Sequence, residues 1–171
     1  MEVVIIGNSA AAVGAIEAIR KVDAAIPITV ISDEPYSVYS RPLISYFLAG
    51  ELRPEQIFYR PRNFYEKNSV RTLLGKHVVN ADFEKKKLHL EHGEKVSYDR
   101  LLIATGGRPF LPKMEGLGIP GVYTFTKLED AQRISSVLKE VQQAVVIGGG
   151  LIGLKAAEAL RKRKIEVTVV E

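Results

Sequence analysis

A glycine-rich turn in the last third of the chain has the spacing of a dinucleotide-binding site. Gly148, Gly150 and Gly153 form the pattern G-x-G-x-x-G between an apolar run and a helix-like segment. The first glycine permits a tight turn, the second lets a pyrophosphate approach the backbone, and the third lets helix and strand pack closely. Glu171 follows a second β-branched run, where a carboxylate can accept hydrogen bonds from a ribose. Such a carboxylate repels a 2′-phosphate, so the pattern favours NADH over NADPH.

A degenerate version of the same turn lies near the N-terminus. Gly7, Ser9 and Ala12 occupy the three glycine positions after the apolar run "EVVII". A side chain at Ser9 crowds the phosphate side of the turn, whereas alanine is tolerated at the third position. Asp33 or Glu34 would supply the ribose acid after the next strand. Taken alone, this turn is equally consistent with plain helix and strand packing.

Composition excludes several classes of function. The 171 residues contain no cysteine, which removes redox disulfides, thiolate catalysis and cysteine-bound metal clusters. We predict no catalytic side chain and no metal site. The net charge of +4 includes "RKRK" at 161–164, which is typical of a solvated helix end, so no nucleic acid is expected. No apolar run is long enough for a bilayer, so no membrane contact and a cytoplasmic location are expected.

The elements that must position these residues follow from periodicity. Each glycine turn lies in a succession of strand, turn, helix and strand, which is the βαβ pattern. Between the two, a short helix is predicted from about Arg41 to Ala49. Residues 70–105 are predicted to form a small antiparallel meander that leads into a buried strand, "LLIAT". A Pro- and Gly-rich linker follows, and then an amphipathic helix with Thr126 as N-cap and Glu129 as the capping-box acid.

Four motifs in register resemble the FAD-dependent pyridine nucleotide-disulfide oxidoreductase family. They are "VVIIGNSAAA", "DEPYSVYSRPLISYFLAGE", "YDRLLIATGGRP" and "VVIGGGLIGLKAAEAL". The nearest branch is the cysteine-free group of rubredoxin and ferredoxin reductases, NADH-nitrite reductase flavin portions and NADH oxidases. The implied fold is α/β: a Rossmann-like FAD-binding domain with an antiparallel meander (1–115, incomplete), and the first βαβ of an NAD-binding domain (116–171, truncated). The chain is therefore expected to be an N-terminal fragment.

The resemblance also implies cofactor contacts, for FAD in the first part and for NAD at the second turn. The FAD pyrophosphate would lie on the first turn, and its ribose on the acid that matches by spacing, Asp33, with Glu34 beside it. The position of Val78 holds the adenine through its backbone, and Arg41 can supply charge to the phosphates, unless it is an ordinary surface residue at a helix start. The implied FAD-contacting residues are Gly7, Asn8, Ser9, Ala10, Ala11, Asp33, Glu34, Arg41, Pro42, Val78, Ala104, Thr105 and Gly106.

Two departures from the family pattern limit what it implies. Disulfide-using relatives carry a redox cysteine where this chain has Pro42, so electrons would pass from NADH through flavin directly to an external acceptor. Oxygen, a nitrite-reducing domain, rubredoxin and ferredoxin are all compatible. Many relatives also carry Glu at the position of Lys155 and Lys at the position of Tyr46, near the contact of flavin and nicotinamide. Lys155 is equally explained as a solvent-facing helix residue.

The rival hypothesis is a non-catalytic nucleotide-binding module that binds FAD or NAD poorly or not at all. A sheet with only two strands in the second part leaves an apolar edge exposed. Pairing of that edge with a second copy would give a homo-oligomer.

Overall fold

The computed structural model describes residues 1–171, which fold into two compact units. The first unit comprises Met1–Tyr39 and Phe58–Gly106, and the second comprises Ser40–Ile57 and Gly107–Glu171. The predicted domain division at residue 115 stays a prediction.

The elements alternate between strands and helices at both ends of the chain. The strands are Val3–Ile6 (β1), Ile28–Ser32 (β2), Val70–Leu74 (β3), Val78–Asp82 (β4), Lys87–Leu90 (β5), Lys95–Ser97 (β6), Arg100–Ile103 (β7), Gln143–Ile147 (β8) and Glu166–Val170 (β9). The α-helices are Ala10–Val22 (α1), Ile44–Ala49 (α2), Phe64–Lys67 (α3), Leu128–Val137 (α4) and Leu151–Lys162 (α5). None of these helices has the length and apolar character needed to cross a bilayer.

A four-stranded parallel sheet forms the centre of the first unit, with strand order β3-β2-β1-β7. Alternate residues of the strands serve two cores, because successive side chains point to opposite faces. On one face, Ile5 and Val30 pack with Val13 and Ile16 of α1. On the other face, the antiparallel meander β4-β5-β6 supplies its apolar side chains. All five residues of β2 are buried, as expected for a strand inside the sheet.

Two predictions about the strands are wrong. Residues 70–74 do not belong to the meander, because β3 pairs in parallel with β2. The "LLIAT" strand is not buried, because β7 pairs only with β1 at the edge of the sheet, and Leu102 and Ile103 are 37% and 59% exposed. Hydrophobic periodicity shows that a segment is a strand but does not show which strand it joins.

The second unit contains a parallel pair of strands connected by a helix. β8 and β9 pair in register from Gln143 with Glu166 to Ile147 with Val170, and α5 makes the crossover. The helix predicted near residues 41–49 is a 3₁₀ turn, Arg41–Leu43, continued by α2 and closed by Gly50 in the left-handed conformation. The strand pair of β8 and β9 leaves large apolar side chains exposed, namely Val145, Ile147, Val169 and Val170.

The predicted N-cap of α4 is wrong by one residue. α4 begins at Leu128, with Lys127 at the N-cap, and the capping acid is Asp130 rather than Glu129. The Asp130 carboxylate accepts from the backbone N–H groups of Thr126 and Lys127, at 2.8 and 2.9 Å. Glu129 instead forms an exposed ion pair with Arg133. The predicted α/β class, with its meander and its second βαβ unit, is confirmed.

Candidate functional site

The first glycine turn joins the carboxyl ends of three strands of the first unit. Gly7 N–H donates to the carbonyl of Ile31 (2.8 Å), and Ala104 N–H donates to the carbonyl of Ile6 (2.7 Å). Gly7 has a φ of +111°, and a Cβ there would lie 2.1 Å from the carbonyl oxygen of Ala104. Only glycine therefore fits this position. Ligands of open α/β sheets bind in this region, outside the carboxyl ends of the strands.

The residues after Gly7 divide into buried and accessible ones. Ser9 precedes the first turn of α1 in extended conformation, and Ala10 and Ala11 of that turn are exposed. The N–H groups of a first helical turn have no acceptor inside the helix, so they are available to a phosphate. Ala12 is fully buried, which agrees with a packing role for the third fingerprint position.

The two acids left open by the sequence have different surroundings. Glu34 is 9% exposed, and its carboxylate accepts a 2.5 Å hydrogen bond from the phenol of Tyr39. Asp33 is exposed just beyond the carboxyl end of β2. The structure therefore favours Asp33 as the acid that a ligand can reach, while Glu34 holds Tyr39. The ribose contact itself stays a prediction.

Two further predicted FAD-contacting segments lie in the same unit. Ala104, Thr105 and Gly106 follow β7 directly, beside Gly7, and Gly106 has a φ of +71°. Val78 begins β4, packs against the core shared with the meander, and precedes a register shift. The sheet thus brings the A-T-G turn to the first glycine turn, whereas Val78 belongs to the meander.

Arg41 and Pro42 belong to the second unit. The guanidinium of Arg41 donates a 2.9 Å hydrogen bond to the carbonyl of Thr126, and Pro42 lies exposed in the 3₁₀ turn before α2. Arg41 is therefore more than an ordinary surface residue at a helix start, because it ties this turn to the segment before α4. Its predicted contact with FAD phosphates stays a prediction.

The second glycine turn has the geometry that the complete fingerprint requires. Gly148 has a φ of +105°, and a Cβ on Gly153 would lie 1.9 Å from the carbonyl oxygen of Gly148. The first and third glycines are thus required by the fold. Gly150, the N-cap of α5, has ordinary dihedral angles and nothing within 4 Å of a Cβ position. The chain has no need of glycine there for packing, and open space at this position suits a pyrophosphate on the backbone.

Glu171 lies beside this second turn. Its exposed carboxylate accepts a hydrogen bond from the N–H of Gly149, next to the open space at Gly150. Glu171 therefore follows β9 directly and caps the glycine turn. This is where the spacing predicts a ribose-binding carboxylate.

The two departures from the family pattern, Tyr46 and Lys155, lie together on α2 and α5. The ammonium groups of Lys155 and Lys162 are 5.7 and 5.8 Å from the ring centroid of Tyr46, within the range of a cation–π interaction. Glu158 accepts from Lys155 at 2.7 Å and pairs with Lys162, which also pairs with Glu51. The hydrogen bond that Lys155 donates to Glu158 raises the pKa of Lys155, and the two lysines lower the pKa of Glu158. Lys155 is therefore half-buried and paired rather than simply solvent-facing.

Sequence similarity to known proteins decides the family. Residues 1–171 match the pyridine nucleotide-disulphide oxidoreductase family over the whole chain. The chain belongs to the pyridine nucleotide-disulphide oxidoreductase family. The predicted resemblance is thereby confirmed, and the homologues and structural neighbours of this family member are FAD- and NAD(H)-binding oxidoreductases.

Individual relatives cover the chain almost completely. The NADH-dependent phenylglyoxylate dehydrogenase subunit epsilon of Aromatoleum evansii is 38% identical over 98% of this chain and 40% of its own length. The rubredoxin-NAD(+) reductase of Pseudomonas putida is 33% identical over 100% of this chain and 45% of its own length. The solved structure of an NAD-dependent persulfide reductase from A. fulgidus superposes with a TM-score of 0.91 at 35% identity, over 99% of this chain and 33% of that one. The chain spans less than half the length of these relatives.

Sequence reasoning missed the side chains that hold the first turn in place. Asn8, predicted only as part of the turn, uses its amide to bind Tyr36 and Tyr65, and Tyr39 holds Glu34. Tyr65 lies 57 residues from Asn8 in the sequence, and Tyr36 lies in a loop, so periodicity carried no signal for either contact.

Proposed function

We propose that this chain carries the FAD-binding and NADH-binding turns of a flavin-dependent oxidoreductase. In the reaction of such an enzyme, electrons would pass from NADH through the flavin to an external acceptor, and no redox disulfide among these residues would take part. The observation that carries the proposal is the presence of two glycine turns, each at the start of a βαβ unit and each in its own compact unit. In the second turn the first and third glycines are required and the position of Gly150, the second glycine, is open; in the first turn Gly7 lies against Ala104.

Each turn has a defined task in this proposal. When bound, FAD supplies the chemistry, namely acceptance of a hydride from the nicotinamide. The N–H groups of Ala10 and Ala11 and the start of α1 would bind the FAD pyrophosphate, and Asp33 would accept from its ribose. Gly150 would leave room for the pyrophosphate of NADH, with Glu171 on the adenosine ribose. The protein's contribution is thus binding and orientation, which agrees with the lack of a predicted catalytic side chain.

The external acceptor is proposed only as a class. Relatives include a rubredoxin-NAD(+) reductase, the nitrite reductase (NADH) large subunit of Escherichia coli and a biphenyl dioxygenase system ferredoxin–NAD(+) reductase component. A water-forming NADH oxidase from Lactobacillus brevis is among the structural neighbours. Rubredoxin, ferredoxin, a nitrite-reducing domain and oxygen are therefore the acceptors to assay first.

A flavin titration tests the proposal on the purified chain. Incubation with FAD followed by desalting should leave a yellow protein, and NADH should bleach it under anaerobic conditions. A protein that remains colourless refutes FAD binding. A yellow protein that NADH does not bleach is the non-catalytic nucleotide-binding module instead.

The ribose assignment is tested separately. Asp33→Ala should weaken FAD retention by about tenfold or more, because a charge-assisted hydrogen bond contributes roughly 1.5–3 kcal/mol. Glu84→Ala, an exposed acid in the turn between β4 and β5, is the matched control and should retain FAD like the wild type. Unchanged retention in Asp33→Ala would refute the role of Asp33.

A further inference from the structure

A chain of hydrogen bonds connects the first glycine turn to the loop after β2. The phenol of Tyr65 donates to Oδ1 of Asn8 at 2.6 Å and accepts from the N–H of Val38 at 3.1 Å. Nδ2 of Asn8 donates to the carbonyl of Tyr36 at 3.1 Å. We call these four groups the Tyr65 relay: the Tyr65 phenol, the Asn8 amide, the Val38 N–H and the Tyr36 carbonyl.

Every member of the Tyr65 relay has its partner, and the centre of the relay is buried. Tyr65 is 9% exposed and Val38 is 1% exposed, and the Tyr65 ring packs edge-to-face on Phe64 at 5.4 Å between centroids. Burial raises the pKa of Tyr65, so the phenol keeps the proton that it donates to Asn8. A buried donor or acceptor that loses its partner costs more than the bond itself contributes. The phenol therefore matters beyond the packing of its ring.

The relay spans the two segments that the proposed FAD site depends on. Asn8 directly follows Gly7 in the glycine turn, and residues 36–38 end the loop that begins at Asp33. Further contacts hold the same loop. The carbonyl of Val38 accepts from the N–H of Tyr59 at 3.0 Å, and the phenol of Tyr39 donates to the carboxylate of Glu34. The loop is thus fixed at its far end, and the turn is fixed to the loop through one amide and one phenol.

We propose that Tyr65 is a positioning residue of the FAD site. It acts through Asn8 and residues 36–38 and sets the distance between the pyrophosphate-binding turn and the acid at Asp33. This inference rests on the proposed function, and it assigns to α3 a task in cofactor binding that no motif of the sequence indicates.

The test is Tyr65→Phe, which keeps the ring and removes the hydroxyl. We expect FAD to bind about tenfold more weakly, the size expected for loss of a buried hydrogen bond and the resulting unpaired groups. ADP, which contains the pyrophosphate and ribose but no flavin, should weaken by the same factor. Tyr98→Phe is the matched control, because Tyr98 is also buried in the first unit but lies in the core on the opposite side of the sheet. It should bind FAD and ADP like the wild type.

Two measurements separate positioning from general destabilisation. Amide hydrogen exchange of the apo protein should accelerate at residues 36–38 in Tyr65→Phe while strands β1 and β2 remain protected. In a double-mutant cycle, Asn8→Ala combined with Tyr65→Phe should weaken FAD binding by less than the sum of the two single losses, since both remove the bond between Tyr65 and Asn8.

The outcomes distinguish the inference from the proposed function. If the wild type binds FAD and Tyr65→Phe binds it equally well, the inference is overturned and the function stands. Additive losses in the cycle, or a loss for FAD without a loss for ADP, also overturn it. If the wild type binds no FAD, both fail together.

Discussion

Replacement of Gly7 by alanine should destabilise the first unit severely. The new Cβ would lie 2.1 Å from the carbonyl oxygen of Ala104 and 2.5 Å from its carbon, and neither atom can move without shifting β7. A non-glycine residue at positive φ costs about 1–3 kcal/mol, and overpacking of a well-packed site typically costs another 1–3 kcal/mol. The sum is roughly 4 kcal/mol, a large part of the 5–15 kcal/mol that typically stabilises a domain.

Gly14→Ala provides the matched control for this prediction. Gly14 lies inside α1, and a Cβ there meets nothing within 4 Å. Alanine should stabilise a helix interior by roughly 0.5–1 kcal/mol relative to glycine. The same substitution is thus expected to have opposite signs at two glycines seven residues apart in sequence.

Circular dichroism at 222 nm suits the assay, since the chain has no tryptophan for fluorescence. At roughly 2–4 °C per kcal/mol, Gly7→Ala should lower Tm by on the order of 10 °C, or abolish folding, while Gly14→Ala leaves Tm unchanged or raises it. A Gly7→Ala protein with the wild-type Tm would refute the close approach of Gly7 and Ala104. The inference that the A-T-G turn lies beside the first glycine turn would fall with it.

Three further predictions test the second unit. Gly150→Ala should keep the wild-type unfolding free energy within about 0.5 kcal/mol but weaken NADH binding, because the new Cβ fills the open space at the turn. Gly153→Ala should instead unfold more easily, because its Cβ meets the Gly148 carbonyl oxygen at 1.9 Å. Equal stability of the two variants would contradict this prediction. Asp130→Ala should cost about 1–2 kcal/mol of stability by urea titration and Glu129→Ala less than about 0.5 kcal/mol, since Asp130 accepts from the backbone N–H groups of Thr126 and Lys127 just before α4 and Glu129 makes only an exposed ion pair. The reverse order would restore the cap predicted from sequence. Lys155 and Lys162 lower the pKa of Glu158 in the folded protein, so the stabilising effect of the Glu158 carboxylate is present above the ordinary glutamate pKa of about 4.3 and is lost as the pH falls through the lower pKa of the folded state. Glu158→Gln should therefore flatten the dependence of Tm on pH between about 3 and 5 at low salt. An unchanged curve would show that the contact with the two lysines does not persist in solution.

Local sequence patterns determined much of the fold. Two apolar runs, each followed by a glycine-containing turn and a helical pattern, were enough to predict both βαβ units, because strand and helix periodicities are local properties. Pro42 and Gly50 marked the ends of the short helix for the same reason. The absence of cysteine excluded a redox disulfide among these residues without any structure.

The tertiary structure decided which distant residues meet. The need for glycine at position 7 comes from Ala104, which lies nearly one hundred residues away and arrives through the pairing of β7 with β1. The choice between Asp33 and Glu34 depends on Tyr39 and on burial, and the Tyr65 relay depends on the docking of α3. Sheet order placed residues 70–74 beside β2 rather than in the meander. A local pattern specifies the conformation of a segment, but its partners are chosen by pairing and packing across the whole chain, and that is where the surroundings of each site residue are set.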